Sequence, residues 1–240
     1  MKPKGYRRGY PVAILIGIEE THATLWQIFS QVAKPQQTLP LNGNRRDPKA
    51  LYNFHETIIN TLRPTFKTGV QSLLIASPPR TNYAQDLQTH ITIHHAWLLQ
   101  GTNKITISLI SGSADTPAQV TTLTQKPLFK QLIQTNAEQE TENLLDLLEK
   151  RLNSEDHLIF FSLTEAENLI LNPQTLGKPR PEYLLLTNKF LSSSRQKNRV
   201  HRLMQIAQNK QIKTRVINEE SPAGLRLTQL GSIVCLAKID

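Results

Sequence analysis

Three groups of side chains in this 240-residue chain have the types and spacing to do chemistry. The first is the adjacent pair Arg45 and Arg46, with Lys49 just behind, in the stretch "LPLNGNRRDPKALYNF". A guanidinium offers paired planar donors that match a phosphate, and a helix start beside it adds anion-attracting backbone N–H groups. The same residues also suit an ordinary solvated turn. The second group is His90, His94 and His95 in "HITIHHAWLL". Imidazoles four residues apart on a helix can ligate zinc when further donors complete the set. No His-Glu-x-x-His pattern is present, and Asp86 is the one nearby acid at fixed spacing. The expectation is therefore no metal site: His94 packs against the core while His90 and His95 face water. The third group is Lys197, Arg199 and Arg202, with Lys189 and Arg195 before them. A row of cations can track a nucleic-acid backbone or merely solvate a helix face, and the residues leave both readings open. Glu19, Glu20 and Asp47 form only a sparse carboxylate set for metal-dependent cleavage. No glycine-rich phosphate loop and no Gly-x-Ser-x-Gly elbow occur.

Composition narrows the field. Lys plus Arg number 28 against 19 Asp plus Glu, a net charge of +9. Such an excess points to an anionic partner, most often nucleic acid, with a merely basic soluble protein as the plain alternative. The single cysteine, Cys235 in "SIVCLAKI", excludes an intrachain disulfide and a cysteine metal cluster. It reads as a small buried hydrophobe, and a reducing, cytoplasmic compartment is the simplest inference. The N-terminal "MKPKGYRRGYPVAILIGIEE" is basic and then apolar, but its apolar part ends at Ile18 against two glutamates, without a small-residue cleavage site. It is not read as an export signal. No run is long enough to cross a membrane.

These groups need elements to hold them. "VAILIGIEE" reads as a buried strand, and "HATLWQIFSQV" as a second strand antiparallel to it through a turn near Glu20 and Thr21. In the second strand Trp26 and Ile28 disturb the alternation. A polar loop with Asn42, Gly43 and Asn44 follows, and Asp47 and Pro48 are a good N-cap and first helical residue. Leu51, Phe54, Ile58 and Leu62 recur at helical spacing behind them. "VQSLLIAS" is expected as the third strand, then a helix with Tyr83, Leu87, Ile91, His94 and Leu98 on one stripe, then a strand at "KITISLI". Short helical pieces broken at Pro127 complete the first half. The second half alternates again. It runs from a helix at "NAEQETENLLDLLEKRL", through strands at "HLIFF", "EYLLLT" and "IKTRVIN", to "GSIVCLAKI", with helices between them. The helix at 196 to 209 turns Val200, Leu203, Met204 and Ala207 inward. Both halves are α/β units, with the seam near residues 130 to 136.

Several of these stretches together resemble the superfamily of Pelota and the archaeal and eukaryotic class-1 release factors. The tail "LRLTQLGSIVCLAKI" resembles its closing helix and strand, with Gly231, Ile233, Leu236 and Lys238 in matching character. The segment "NAEQETENLLDLLEKRLNSEDHLIFFSLTEAENLI" resembles the opening of the same C-terminal domain, and "PEYLLLTNKFL" the strand that follows. "VQSLLIASPP" resembles the strand ending in Ser-Pro-Gly-Phe of Pelota's central domain, with Ser77 and Pro78 matching and Pro79 and Arg80 replacing the last two. The resemblance implies a basic tail over residues 1–9 and a ribonuclease-H-like central-type domain over 10–132. An α-β-α sandwich similar to the L30e and L7Ae proteins would follow over 133–240. The family's own N-terminal domain has no counterpart, and only the tail with Lys2, Lys4, Arg7 and Arg8 stands in its place. The Asn42–Pro48 loop falls where release factors carry Gly-Gly-Gln and has no glutamine. The resemblance therefore implies a non-catalytic factor in ribosome rescue or translation quality control, with no cofactor. It would bind the ribosome, tRNA or rRNA through Arg45, Arg46, Lys49, Arg7, Arg8, Lys197, Arg199 and Arg202. A translational GTPase or recycling ATPase would meet Ser77, Pro78 and Arg80. Two alternatives stay open. One is a diverged peptidyl-tRNA hydrolase using Gln36 or Gln37, and the other is an L7Ae-like RNA-binding module acting off the ribosome.

Overall fold

A computed structural model describes residues 11–30, 32–67, 69–101, 104–154, 158–172 and 179–238. These divide into two compact units with the boundary between Ala137 and Glu138, apart from Lys67–Gly69, which groups with the second. The tail with Arg7 and Arg8 lies outside the described residues.

The first unit is a five-stranded sheet. Strands β1 (Pro11–Ile18), β2 (His22–Phe29) and β3 (Ala33–Pro40) form an antiparallel meander. Helix α1 (Pro48–Lys67) leads to β4 (Ser72–Ser77), and α2 (Tyr83–His94) leads to β5 (Thr106–Ser111). Both β4 and β5 run parallel to β1, giving the order β3-β2-β1-β4-β5. That order is the ribonuclease-H-like arrangement. Helices α1 and α2 cover one face through Phe54, Ile58, Ile59, Leu62, Leu87 and Ile91. Helix α3 (Pro117–Gln125) and the start of α4 (Pro127–Leu152) cover the other through Val120, Leu123 and Phe129. Because both faces are covered, β1 and β4 are continuous apolar runs. The same fact accounts for β2. Leu25 belongs to one core and Trp26 and Ile28 to the other, so the alternation is intact and simply has no polar side. Trp26 is buried and its Nε1 donates to the Ala114 carbonyl at 2.7 Å. Gly17 permits that loop to close in, since a Cβ there would sit 2.3 Å from the Ala114 oxygen. The buried amide Asn136 Nδ2 donates to Ser72 and Ser108.

Two expectations are corrected. Residues 33–40, read from sequence as loop, form the edge strand β3, so "VQSLLIAS" is the fourth strand. The helix does break before Pro127, as expected, since α3 ends at Gln125, but Pro127 is not followed by another short piece. It opens a single 26-residue helix. Proline at a first helical position loses no hydrogen bond that the helix would have made.

The second unit holds a four-stranded sheet in the order β6-β9-β7-β8. Its elements are β6 (Ile159–Phe160), α5 (Leu163–Leu171), β7 (Arg180–Thr187), α6 (Asn188–Ser193), α7 (Lys197–Asn209), β8 (Lys213–Ile217), α8 (Pro222–Gln229) and β9 (Ile233–Lys238). Leu144 and Leu148 of α4, with Ala223 and Leu227 of α8, pack on the face formed by Tyr183, Leu185, Val234 and Leu236. The alternate residues Leu184, Leu186, Ile233 and Cys235 turn to the opposite face, where α5 and α7 lie against the strands. This is the α-β-α sandwich expected. Helix α7 buries Val200, Leu203, Met204 and Ala207, as its periodicity predicts. Among the described residues no helix is long and apolar enough to cross a membrane.

Candidate functional site

The loop between β3 and α1 is built from local hydrogen bonds. The Arg46 backbone N–H donates to Asn44 Oδ1 at 2.9 Å, and that of Asp47 to the Asn44 carbonyl at 2.9 Å. Asp47 Oδ1 accepts from the Lys49 N–H at 3.0 Å and so caps α1. Its carboxylate is thereby committed, and Glu19, Glu20 and Asp47 form no ligand group among the described residues.

The two arginines part company on this frame. Arg45 turns inward. Its Nη2 donates to the Glu19 carbonyl at 2.6 Å and its Nε to the Glu20 carbonyl at 3.1 Å. Its guanidinium lies 3.9 Å from the Tyr83 ring centroid and 5.7 Å from that of Phe54. Burial pulls its pKa down, opposed by Tyr83, Asp86 and Glu20, and the group stays cationic. Arg45 thus ties the β1–β2 turn to α1 and α2. Arg46 and Lys49 are exposed at the α1 N-terminus. The structure brings those two cations to one surface and places Arg45 beneath it.

The other expected positions also separate. Ser77 is buried and its carbonyl accepts from Gly112, whereas Pro78 is half-buried and Arg80 exposed. Arg80 sits at a φ of 66°, in the left-handed region uncommon for non-glycine residues. On α7, Arg199 is spent on a forked pair with Glu167 of α5, with Nε 2.7 and 2.8 Å from the two carboxylate oxygens. That carboxylate raises the Arg199 pKa. Lys197 and Arg202 remain exposed, and Arg202 borders a shallow groove of about 430 Å³ with Leu171 and Ile206. Lys189 pairs with Glu219 at 3.0 Å.

The histidines reverse the expectation. His90 and His95 are buried and His94 is exposed. Helix α2 ends at His94, so His95 is its C-cap, with its N–H on the Ile91 carbonyl. The two buried imidazoles converge on one carboxylate from α1, with Glu56 Oε1 3.1 Å from His90 Nε2 and 2.7 Å from His95 Nε2. Burial lowers the His90 pKa and Glu56 only partly restores it. Burial alone would raise Glu56, but the bonds from His95 and His90 outweigh that and lower it. His55, one position before Glu56, is buried, and burial with His90 and Arg45 nearby pushes it down to about 4. Neither His55 nor Glu56 is singled out by sequence, because each lies more than 30 residues from its partners and only the packing of α1 on α2 joins them. A separate polar node joins His22 Nε2 and Thr24 Oγ1 to Asp115 Oδ1, both at 2.8 Å, and those bonds lower the Asp115 carboxyl.

Neither a protein-family model nor a curated protein sequence matches the chain. Solved structures do. The archaeal Pelota of a ribosome-bound assembly with ABCE1 matches at 14% identity and a TM-score of 0.55, over 99% of this chain and 64% of that one. Dom34 of S. cerevisiae, described as a translation termination-like factor involved in RNA quality control pathways and interacting with Hbs1, matches at 17% identity and a TM-score of 0.49, over 99% and 66%. The archaeal translation termination factor aRF1 matches at 13% identity and a TM-score of 0.32, over 95% and 62%. The chain therefore has a Pelota-like fold along almost its whole length. It spans less than two thirds of each of these proteins.

Proposed function

We propose that the chain is a non-catalytic translation factor of the Pelota and release-factor superfamily, binding the ribosome or a tRNA-like RNA in ribosome rescue or translation quality control. The observation that carries this reading is the fold correspondence with archaeal Pelota over 99% of the chain. Two local features support it. The β3–α1 loop has no Gly-Gly-Gln, and Gln36 and Gln37 lie on β3, where Gln37 pairs with Leu25 in the strand ladder. An amide held on an edge strand, without glycines to bring the backbone close, is poorly placed to direct water at an ester. Arg46 and Lys49, in contrast, stand free beside the first-turn N–H groups of a 20-residue helix, an arrangement that suits phosphate. The exposed Arg80 turn is the surface on which a GTPase or recycling ATPase would dock.

Ribosome co-sedimentation over a salt series tests the reading. We expect association that weakens as salt rises, because phosphate contacts release counterions. The double substitution Arg46→Glu with Lys49→Glu is expected to weaken it at least about tenfold, roughly 1.4 kcal/mol. Lys197→Glu with Arg202→Glu examines the competing face. RNA binding without ribosome association, lost only in the α7 variant, would replace this reading with an off-ribosome module. Peptide release that disappears with Gln37→Ala would replace it with a hydrolase.

A further inference from the structure

We propose that Glu56, His90 and His95 form a binding site for a zinc-class divalent transition metal that pins the end of α2 to α1. One ligand atom from each residue lies within 4.8 Å of the other two, and Glu56 Oε1 is 2.7 and 3.1 Å from the two Nε2 atoms. Zinc bonds of about 2.0–2.1 Å in a tetrahedron set neighbouring donors roughly 3.3 Å apart. The carboxylate oxygen would withdraw by a few tenths of an ångström from each nitrogen to admit the ion. Two imidazoles and one carboxylate are a zinc donor set, whereas magnesium and calcium require oxygen shells.

Three further observations favour a ligand site over a purely structural hydrogen-bonded triad. Four of the seven histidines gather here, since the His90 ring lies 5.0 Å from His55, 4.8 Å from His94 and 5.5 Å from His95. A core built only for packing gains nothing from buried imidazoles, each of which needs partners that an apolar residue does not. His55 Nε2 is buried without a hydrogen-bond partner, so the cluster carries polar capacity that internal bonds do not use. Finally, the cluster has an open side. Glu56 is 24% exposed, so a fourth place on the ion is open to water. The donors stand on α1 and on the end of α2, whose neighbouring residues Ile58, Ile59, Leu87 and Ile91 are core, so the backbones that carry them are held in place before any ion arrives.

The test uses the untagged full chain, stripped with chelator and titrated with zinc alone by calorimetry at neutral pH. We expect one equivalent bound and a raised melting temperature. Cobalt(II) in place of zinc is expected to give the visible absorption of a tetrahedral nitrogen–oxygen site. Glu56→Gln, His90→Gln and His95→Gln should each weaken zinc binding at least tenfold and remove the cobalt band, while His22→Gln, outside the cluster, leaves both unchanged. Glu56→Gln keeps the size of a partly exposed side chain, and circular dichroism of the metal-free variants shows whether they fold. No stoichiometric zinc binding by the wild-type chain, or binding unaffected in a folded Glu56→Gln protein, overturns the proposal. So does a preference for magnesium.

Discussion

Arg45 and Arg46 are chemically identical neighbours with opposite placements, and only the fold separates them. Arg45 stacks on Tyr83 and bonds two carbonyls of the β1–β2 turn, while Arg46 meets solvent. Arg45→Ala removes the stacking and leaves the Glu19 and Glu20 carbonyls without that donor. Summed from a partly buried cation–π contact and two hydrogen bonds, the expected loss is about 2–3 kcal/mol in urea unfolding. Arg45→Lys should rescue only part of it, because an ammonium cannot lie flat on the ring and reach both carbonyls. Arg46→Ala should stay within about 0.5 kcal/mol of the parent. Equal losses at the two positions would refute this assignment. A charge reversal of both arginines together would therefore confound folding with binding, which is why the interface is tested at Arg46 and Lys49.

At the scale of elements, caps and buried periodicity carry most of the information. Ser162 and Glu165 make a reciprocal capping box at the start of α5, visible in the sequence as Ser-Leu-Thr-Glu before an apolar run. Ser162→Ala should cost about 1 kcal/mol, read from chemical denaturation, since the Glu165 N–H loses its acceptor. An unchanged midpoint would mean that solvent replaces the bond. Helices α1, α5 and α7 and the apolar strands β1, β4, β7 and β9 were legible for the same reason: each carries its own boundary signal or its own buried face. Strand β3 was not. It is an edge strand holding Pro35 and Pro40, and Leu39 is its one fully inward side chain. Edge position is what tolerates proline and polar residues, and edge position is a property of the sheet. The histidines failed differently. The expected stripe was out of phase within α2, whose buried residues are Ala84, Leu87, His90 and Ile91, and because the helix stops at His94, His95 turns in as its C-cap. The Glu56 cluster lies across 34 and 39 residues of sequence, beyond any local spacing rule.

For the whole molecule, two units each keep a hydrophobic core, and α4 carries the chain across the boundary between Ala137 and Glu138. Both tryptophans of the chain fall in the first unit. Trp26 is 2% exposed and bonded to the Ala114 carbonyl, and Trp97 is 55% exposed with its ring 6.5 Å from that of His95. The second unit has only tyrosine and phenylalanine as aromatic chromophores. Intrinsic emission is thus a reporter for one half of the protein, blue-shifted from Trp26 and red-shifted from Trp97, while far-ultraviolet ellipticity sums both halves. Urea melts followed both ways should give different midpoints if the cores unfold separately, and a single shared midpoint would mean that they unfold together. Emission collected at the long-wavelength end of the band would go further and weight Trp97, turning an exposed indole beside the histidines into a light-emitting gauge of whatever enters that cluster.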